Sequence, residues 1–292
     1  MMKSIRAIAA SAMLAAVVLG CSSQPKAVEP KIGATTDGAL STSGNRHAEE
    51  PSVKKEGKSA ETATVGVVDS RHAALSQALR SGKTQAVHDE AARVLVAHPD
   101  DVITLNALAM WNYKQGKIGA AKLLLARAIE KGEPSAAVLN NYGLMLYAEG
   151  DELAAAEQYK KAIRLDERHA EANANLGSHY ARGGDWKKAF PRLEIAWKAG
   201  RIDSAIANNY ALALKAEGES EKARRIFEEA AQRNNKDPIL LLNYAALLIE
   251  TLNRPKEGLP LVYRVKFLET DKKEILIRAN QLERRASQSG NP

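Results

Sequence analysis

Residues 136–169, AAVLNNYGLMLYAEGDELAAAEQYKKAIRLDERH, predict two helices joined by a tight turn. In the first half, apolar and small residues follow the i, i+3, i+4, i+7 spacing of one helical face, namely Leu139, Tyr142, Gly143 and Leu146. In the second half, Ala155, Tyr159 and Ala162 repeat that pattern. Gly150 lies between the halves, where glycine permits a reversal that would strain a residue with a side chain.

The glycine of this turn recurs every 34 residues, at Gly82, Gly116, Gly150, Gly184 and Gly218. Small residues follow the same step at the phases of Gly143, Ala155 and Ala162. The whole helical pair is therefore an internal repeat. One such hairpin has too little contact area to bury its apolar face, so the units are expected to stack into a continuous solenoid.

A helix–turn–helix repeat of 34 residues with small residues at these phases resembles the tetratricopeptide repeat (TPR) family. The resemblance implies an all-α, right-handed superhelix of about six repeats over residues 68–286, with a capping helix at 273–286. Two departures are expected. Pro191 should kink its helix or remove a hydrogen bond, and the sixth unit lacks its glycine, so residues 252–255 should make that turn with one extra residue.

The N-terminal residues resemble a bacterial lipoprotein leader. Lys3 and Arg6 precede an apolar run at 7–19, which is too short to span a bilayer comfortably. The sequence Val-Leu-Gly-Cys at 18–21 resembles a lipobox, which implies a signal peptide at 1–20 and lipidation of Cys21. Residues 22–67 lack aromatic residues, so 21–67 is predicted to be a lipidated, disordered linker. Residues 287–292 are predicted to form a frayed tail.

Composition and motifs argue against several classes of function. The chain has a net charge of +7 and one cysteine, so no intramolecular disulfide is possible. It contains no phosphate loop, GxGxxG or GxSxG, and its six histidines lack metal-ligand spacing. We therefore predict no catalytic residue, no metal and no cofactor. An exported protein rarely meets nucleic acid, and the sequence shows no aromatic interleaving of the sort that stacks bases, so nucleic acid is not an expected partner.

Repeated asparagines are the strongest indication of a binding site. They occur at Asn141, Asn175, Asn209 and Asn243, with a second row one position earlier at Asn106, Asn140 and Asn208. The family resemblance implies that first helices line a groove where asparagine binds a peptide backbone, since an amide both donates and accepts hydrogen bonds. Tyr113, Leu144 and Tyr147 are predicted to lie beside them, as are Met110 and Leu212. Alternatively, the asparagines cap or bridge neighbouring helices.

The combined features predict a protein-binding scaffold lipidated at the outer membrane, with its repeats facing the periplasm. Lipobox, linker and repeats resemble type IV pilus pilotins and the TPR lipoproteins of gliding-motility complexes, so a secretin or motility-complex subunit is the expected partner. The alternative is an adaptor that recruits cell-wall hydrolases or a protease. Basic residues crowd the last two helices and could meet anionic lipid, cell-wall polymer or an acidic partner, although a solvated cap is the favoured interpretation.

Overall fold

The computed structural model describes residues 70–268 and 272–289, which form six helical hairpins and one further helix. The first helices of the six hairpins are α1 (Ser70–Ser81), α3 (Val102–Lys114), α5 (Ala136–Ala148), α7 (Ala170–Arg182), α9 (Ser204–Ala216) and α11 (Pro238–Ala246). The second helices are α2 (Thr84–Ala97), α4 (Ile118–Lys131), α6 (Glu152–Leu165), α8 (Trp186–Lys198), α10 (Ser220–Arg233) and α12 (Pro255–Phe267). A capping helix, α13 (Lys273–Ser289), follows. The predicted all-α repeat architecture is confirmed.

The five predicted turn glycines all adopt the left-handed conformation. Gly150 has the largest φ among them, 91°, and the other four lie between 69° and 82°. A residue with a side chain would be strained at such a φ. The signal peptide predicted at 1–20 and the linker predicted at 21–67 lie outside the described residues.

The sixth hairpin makes its turn in another way. A π-helical turn, Leu247–Thr251, continues α11, and Asn253 takes the positive φ, at 52°. Asn253 lies one residue later than the glycine step predicts, which confirms the extra residue. Asparagine tolerates this conformation better than most residues because its short amide can bond locally. Gly258 then packs on Ala245, as Ala155 packs on Gly143 in the third hairpin.

Inside each hairpin the two helices cross at small residues. A Cβ added at Gly143 would lie 2.6 Å from a ring carbon of Tyr159 and 3.0 Å from the carbonyl oxygen of Ala155. Tyr159 is itself buried, so its ring has little room to move. The missing side chain therefore allows α5 and α6 to approach closely, and Tyr159 fills the space beside them.

The packing of successive hairpins gives the solenoid an inner and an outer side. Each first helix contacts the first helix of the next hairpin, whereas within the described residues no second helix contacts the next second helix. First helices are therefore closer together and form the concave side. Second helices form the convex side, where Leu123 and Leu153 are largely exposed.

Most helices begin at a side chain that accepts a backbone N–H. These N-cap residues are Asp101, Ser135, Asp151, His169, Asp185, Asp203 and Asp237. Each such bond satisfies one of the N–H groups that a helix leaves unpaired at its start. The caps explain why nearly every first helix begins at the same phase of the repeat.

Asp101 also joins the first hairpin to the second. It accepts a 2.7 Å bond from the Thr104 N–H and a 2.9 Å bond from His72 Nε2, and Arg71 lies 3.6 Å away. Burial alone raises the pKa of Asp101, but the hydrogen bonds from Thr104 and His72 outweigh it, so the pKa lies below its ordinary value. Arg71 occupies the phase at which the second, third and sixth units have Leu105, Leu139 and Leu241, and its charge faces Asp101 instead.

Two details, one in the fourth hairpin and one at the C-terminal end, refine the sequence predictions. Helix α8 continues through Pro191, which is exposed and removes only a bond near the first turn, so α8 still buries Ala189, Leu193 and Ala196. Helix α13 extends to Ser289, three residues beyond the predicted end of the capping helix at 286. No proline or glycine interrupts the helix before Gly290.

Replacing Gly143 with alanine is expected to destabilise the array by about 1–3 kcal/mol, because the methyl group collides with the buried Tyr159 ring. Urea denaturation followed by circular dichroism measures this. Gly119→Ala is the matched control, since nothing lies within 4 Å of its added Cβ, and it should equal wild type or exceed it by up to about 1 kcal/mol because alanine is the better helix former. Equal stabilities of the two variants would contradict the packing argument.

Asp101→Asn keeps an N-cap residue but removes the charge that faces His72 and Arg71. Because the folded pKa of Asp101 is lowered, its stabilisation is present above the unfolded value and is lost as pH falls through the folded value. The wild type should therefore exceed the variant at neutral pH, and the gap should close below about pH 4. Urea midpoints across pH test this, and a gap that widens in acid would contradict it.

Candidate functional site

The repeated asparagines meet one another across the concave side. Asn141 Nδ2 donates to Asn106 Oδ1 at 2.9 Å, and Asn175 Nδ2 donates to Asn140 Oδ1 at 2.9 Å. Within α5, Asn140 Nδ2 donates to Asn141 Oδ1 at 3.3 Å. These bonds form a continuous row of amides from α3 through α5 to α7, which we call the N-terminal amide ladder.

A second row, the C-terminal amide ladder, joins α7, α9 and α11. Asn243 Nδ2 donates to Asn208 Oδ1 at 2.7 Å, and Asn208 Nδ2 donates to Asn209 Oδ1 at 3.4 Å. Asn209 Nδ2 then reaches Ser178 Oγ at 3.3 Å. The pairing step between hairpins is 35 residues in both ladders. At that step Asn209 would face Ala174, which has no amide, so it bonds to Ser178 and the two ladders stay separate.

Burial divides the predicted groove residues into two groups. Asn106, Asn140, Asn141 and Asn175 are at most 5% exposed. Their amides bridge neighbouring helices, which is the alternative that the sequence left open. By contrast, Asn208, Asn209 and Asn243 are half-buried, and so are Tyr113 and Tyr147. These five residues are the predicted set that the concave side leaves accessible.

The prediction that Leu144 faces a partner is wrong for the free chain. Leu144 is 0% exposed and packs in the core shared by α3, α4 and α5, and Met110 is buried in the same cluster. A first helix is covered by its own second helix and by first helices on both sides, so little of its apolar surface remains open. Leu212 keeps partial exposure on α9.

Arg182, which lies over the Tyr147 ring, is not among the residues predicted from the sequence. The Arg182 guanidinium lies 4.7 Å from the centre of the Tyr147 ring, and its Nη2 lies 3.4 Å from Glu152. Arg182 follows Tyr147 by 35 residues, the step of the amide ladders, so this register could have revealed the pair. Burial, and secondarily the neighbouring Tyr147, raises the pKa of the Tyr113 hydroxyl above its ordinary value.

The basic residues at the C-terminal end also fall into two groups, those held in ion pairs and those exposed to solvent. Lys266 pairs with Glu283 at 2.7 Å, while Arg278 and Arg285 both pair with Glu250. These ion pairs hold α13 against α12 and the π-helical turn. Lys256 and Arg264 are exposed and form no ion pair within the described residues. Part of the basic cluster is therefore structural and part faces solvent.

The described residues form neither a metal site nor a helix that could cross a membrane. No group of three or more histidine, cysteine, aspartate or glutamate side chains there is arranged to hold a metal ion. In residues 70–268 and 272–289, no helix combines the length and apolarity that crossing a bilayer requires.

Comparison with known proteins identifies the repeat. Residues 106–167 and 153–194 match the family model described as tetratricopeptide repeat. This match and the hairpin architecture show that residues 106–194 contain tetratricopeptide repeats.

Two curated relatives match parts of the chain. An uncharacterized lipoprotein of Treponema pallidum (strain Nichols) is 28% identical over 95 residues, which are 32% of this chain and 48% of that protein. A TPR repeat-containing protein of Dictyostelium discoideum is 27% identical over 128 residues, 41% of this chain and 49% of that protein. The chain thus spans about half the length of the curated relatives it matches.

Solved structures show the same fold. YrrB, a TPR protein with an unusual peptide-binding site, has a TM-score of 0.55 at 16% identity, over 65% of this chain and 97% of that one. Pseudomonas aeruginosa pilF has a TM-score of 0.52 at 21% identity, over 65% and 88%. A TPR protein from Parabacteroides merdae has a TM-score of 0.52 at 15% identity, over 75% and 89%.

Asn141→Ala is expected to destabilise the fold by about 1–3 kcal/mol, because Asn106 and Asn140 each lose a buried hydrogen-bond partner. Asn280→Ala is the matched control, since Asn280 is exposed on α13, and it should change stability by less than about 0.5 kcal/mol. Urea denaturation compares the two. A null effect of Asn141→Ala would show that the N-terminal amide ladder contributes little to stability.

Proposed function

We propose that this protein is a scaffold held at the outer membrane by lipid on Cys21, with its repeats in the periplasm. Its concave side binds a segment of a protein partner. The lipobox resemblance and the partial match to an uncharacterized lipoprotein support the anchor. The match to a TPR protein with a peptide-binding site supports the binding role.

The proposal rests on a difference in burial between the asparagines of the two amide ladders. In the N-terminal amide ladder the amides are buried and hold the hairpins together. In the C-terminal amide ladder Asn208, Asn209 and Asn243 keep exposed surface. An amide with unused bonding capacity can bind the backbone of a docked segment. Leu212 lies one turn from Asn208 on α9 and adds apolar surface beside it.

A second part of the concave side has different chemistry. Tyr113 and Tyr147 offer rings and hydroxyl groups, and Arg182 adds a cation over the Tyr147 ring. Aromatic residues and arginine are typical of the residues that dominate binding energy at protein interfaces. The concave side therefore suits a segment that presents apolar side chains together with backbone or carboxylate acceptors.

We propose that the partner belongs to an envelope machine, either a type IV pilus secretin or a motility complex, which the scaffold pilots or assembles. The resemblance to pilotins and gliding-motility lipoproteins supports this role, and the fold shared with pilF agrees with it. The alternative role is an adaptor that recruits cell-wall hydrolases or a protease. The fold does not choose between these roles, since one scaffold serves many functions.

Leu212→Glu is expected to reduce partner capture at least tenfold, because it places a charge beside the half-buried amides of α9. The measurement is crosslinking in cells with the lipidated protein, followed by purification and mass spectrometry. Leu123→Glu on the convex side is the matched control, since Leu123 is 71% exposed, and it should capture the wild-type set.

The captured proteins distinguish the two roles. Secretin or motility-channel subunits that depend on Leu212 would support piloting, whereas hydrolases or a protease that depend on it would support the adaptor. Capture that is insensitive to Leu212→Glu would contradict the concave side as the binding site.

A further inference from the structure

Helix α12 exposes two aromatic side chains on its outer face. Phe267 is 89% exposed and Tyr263 is 53% exposed, and both lie on the convex side at the C-terminal end of the array. Lys256 and Pro260 are also exposed. These four residues are spaced i, i+4, i+7 and i+11, so they form one stripe along the helix, which we call the α12 stripe.

Core packing does not require aromatic residues there. Gly258, Val262 and Val265 form the buried face of α12, against α11 and α13. Leu282 and Ala286 of α13 cover that face from the other direction. The α12 stripe points away from these contacts and contributes nothing to the core.

The third, fourth and fifth hairpins place polar residues at the same phases, whereas the first has Ala92 and Val96 and the second has Ala126 and Glu130. Since Gly258 is equivalent to Ala155, Tyr263 and Phe267 are equivalent to Lys160 and Arg164 of α6. The equivalent pairs are Glu194 and Lys198 in α8, and Glu228 and Gln232 in α10. None of the first five hairpins has an aromatic residue at these phases, so the repeat pattern itself does not explain the α12 stripe.

Cations flank the aromatic pair. Lys256 lies on the α12 stripe, and Arg264 follows Tyr263 directly. Both are exposed and form no ion pair within the described residues. Nearby Lys266 is different, because it is held by Glu283 at 2.7 Å. The two cations are therefore available to an anionic surface.

We propose that the α12 stripe docks on the headgroup region of an anionic lipid bilayer. Tyrosine and phenylalanine are suited to this region because their rings enter the acyl boundary, and the tyrosine hydroxyl remains at the polar level. Lys256 and Arg264 attract the lipid phosphates. Exposed rings beside cations also occur at protein interfaces, but the proposed lipid anchor keeps this surface near a membrane, which favours a bilayer as the occupant.

The lipid anchor of the proposed function makes weak docking sufficient, and to that extent the inference rests on it. The predicted linker has a typical span of about 35–40 Å, so it keeps the repeats near the membrane. Tethering turns docking into an intramolecular event at an effective concentration in about the millimolar range. Docking would orient the solenoid with its C-terminal end towards the bilayer.

Sedimentation with vesicles tests the docking without the anchor. The protein is the predicted mature chain, residues 21–292, carrying Cys21→Ser so that no lipid is attached. Vesicles contain phosphatidylcholine with or without phosphatidylglycerol. The chain is expected to bind the phosphatidylglycerol vesicles and to bind phosphatidylcholine alone more weakly.

Three variants assign the binding to the α12 stripe. Tyr263→Ser with Phe267→Ser should reduce binding about tenfold, and Lys256→Gln with Arg264→Gln should reduce it about fivefold per charge. Leu123→Ser changes an exposed residue of the convex side, and this variant should bind vesicles as strongly as the parent chain. Circular dichroism checks that each variant is folded.

Either of two results would overturn the inference. One is that the parent chain binds neither kind of vesicle or binds both equally. The other is that the aromatic variant binds as well as the Leu123→Ser control. The partner-capture experiment is independent, because Leu212→Glu leaves the α12 stripe intact. Loss of capture with normal vesicle binding, or the reverse, therefore shows which proposal has failed.

Discussion

The close approach of two helices at a position with little or no side chain is the constraint on which this structure depends. At Gly143 even a methyl group would collide with the Tyr159 ring, and at Gly177 it would collide with Leu193. Close packing there brings the rest of each helical face into contact with its partner. The hairpin that results still leaves one apolar face open, and only the next hairpin covers it. Stability and shape therefore both follow from a repeated local approach.

The amide ladders add directional contacts to this non-directional packing. Apolar faces can slide over one another at small cost, whereas an amide that loses its buried partner costs about 1–3 kcal/mol. The 35-residue pairing of Asn106 with Asn141, and of Asn140 with Asn175, is satisfied in only one register. The gap at Ala174 divides the asparagines of the concave side into a buried N-terminal set and a more exposed C-terminal set. The same residue type is thus used for assembly in one half and is accessible to a partner in the other.

Sequence patterns predicted most of the fold because a constant period with turn glycines leaves few alternatives. They placed all five glycine turns, the substituted sixth turn and the buried phases of the second helices. The same patterns predicted less well which residues of the concave side are accessible. Leu144 and Tyr147 have equally suitable phases on α5, yet one is buried and the other is half-exposed. Exposure on the concave side depends on how closely neighbouring first helices approach, and a pattern within one repeat does not contain that distance.

By itself the sequence determined the repeat, its all-α hairpins and the reversal points, because these depend on local spacing and on the conformational freedom of glycine. It also supplied both asparagine rows and left two interpretations of them open. Only the tertiary structure decided between bridging and accessible amides, since the bonds join residues on different hairpins. It likewise showed that Lys266, Arg278 and Arg285 are held in ion pairs while Lys256 and Arg264 lie beside exposed rings. The physical reason is that burial and pairing belong to the superhelix, where residues about 35 positions apart become neighbours.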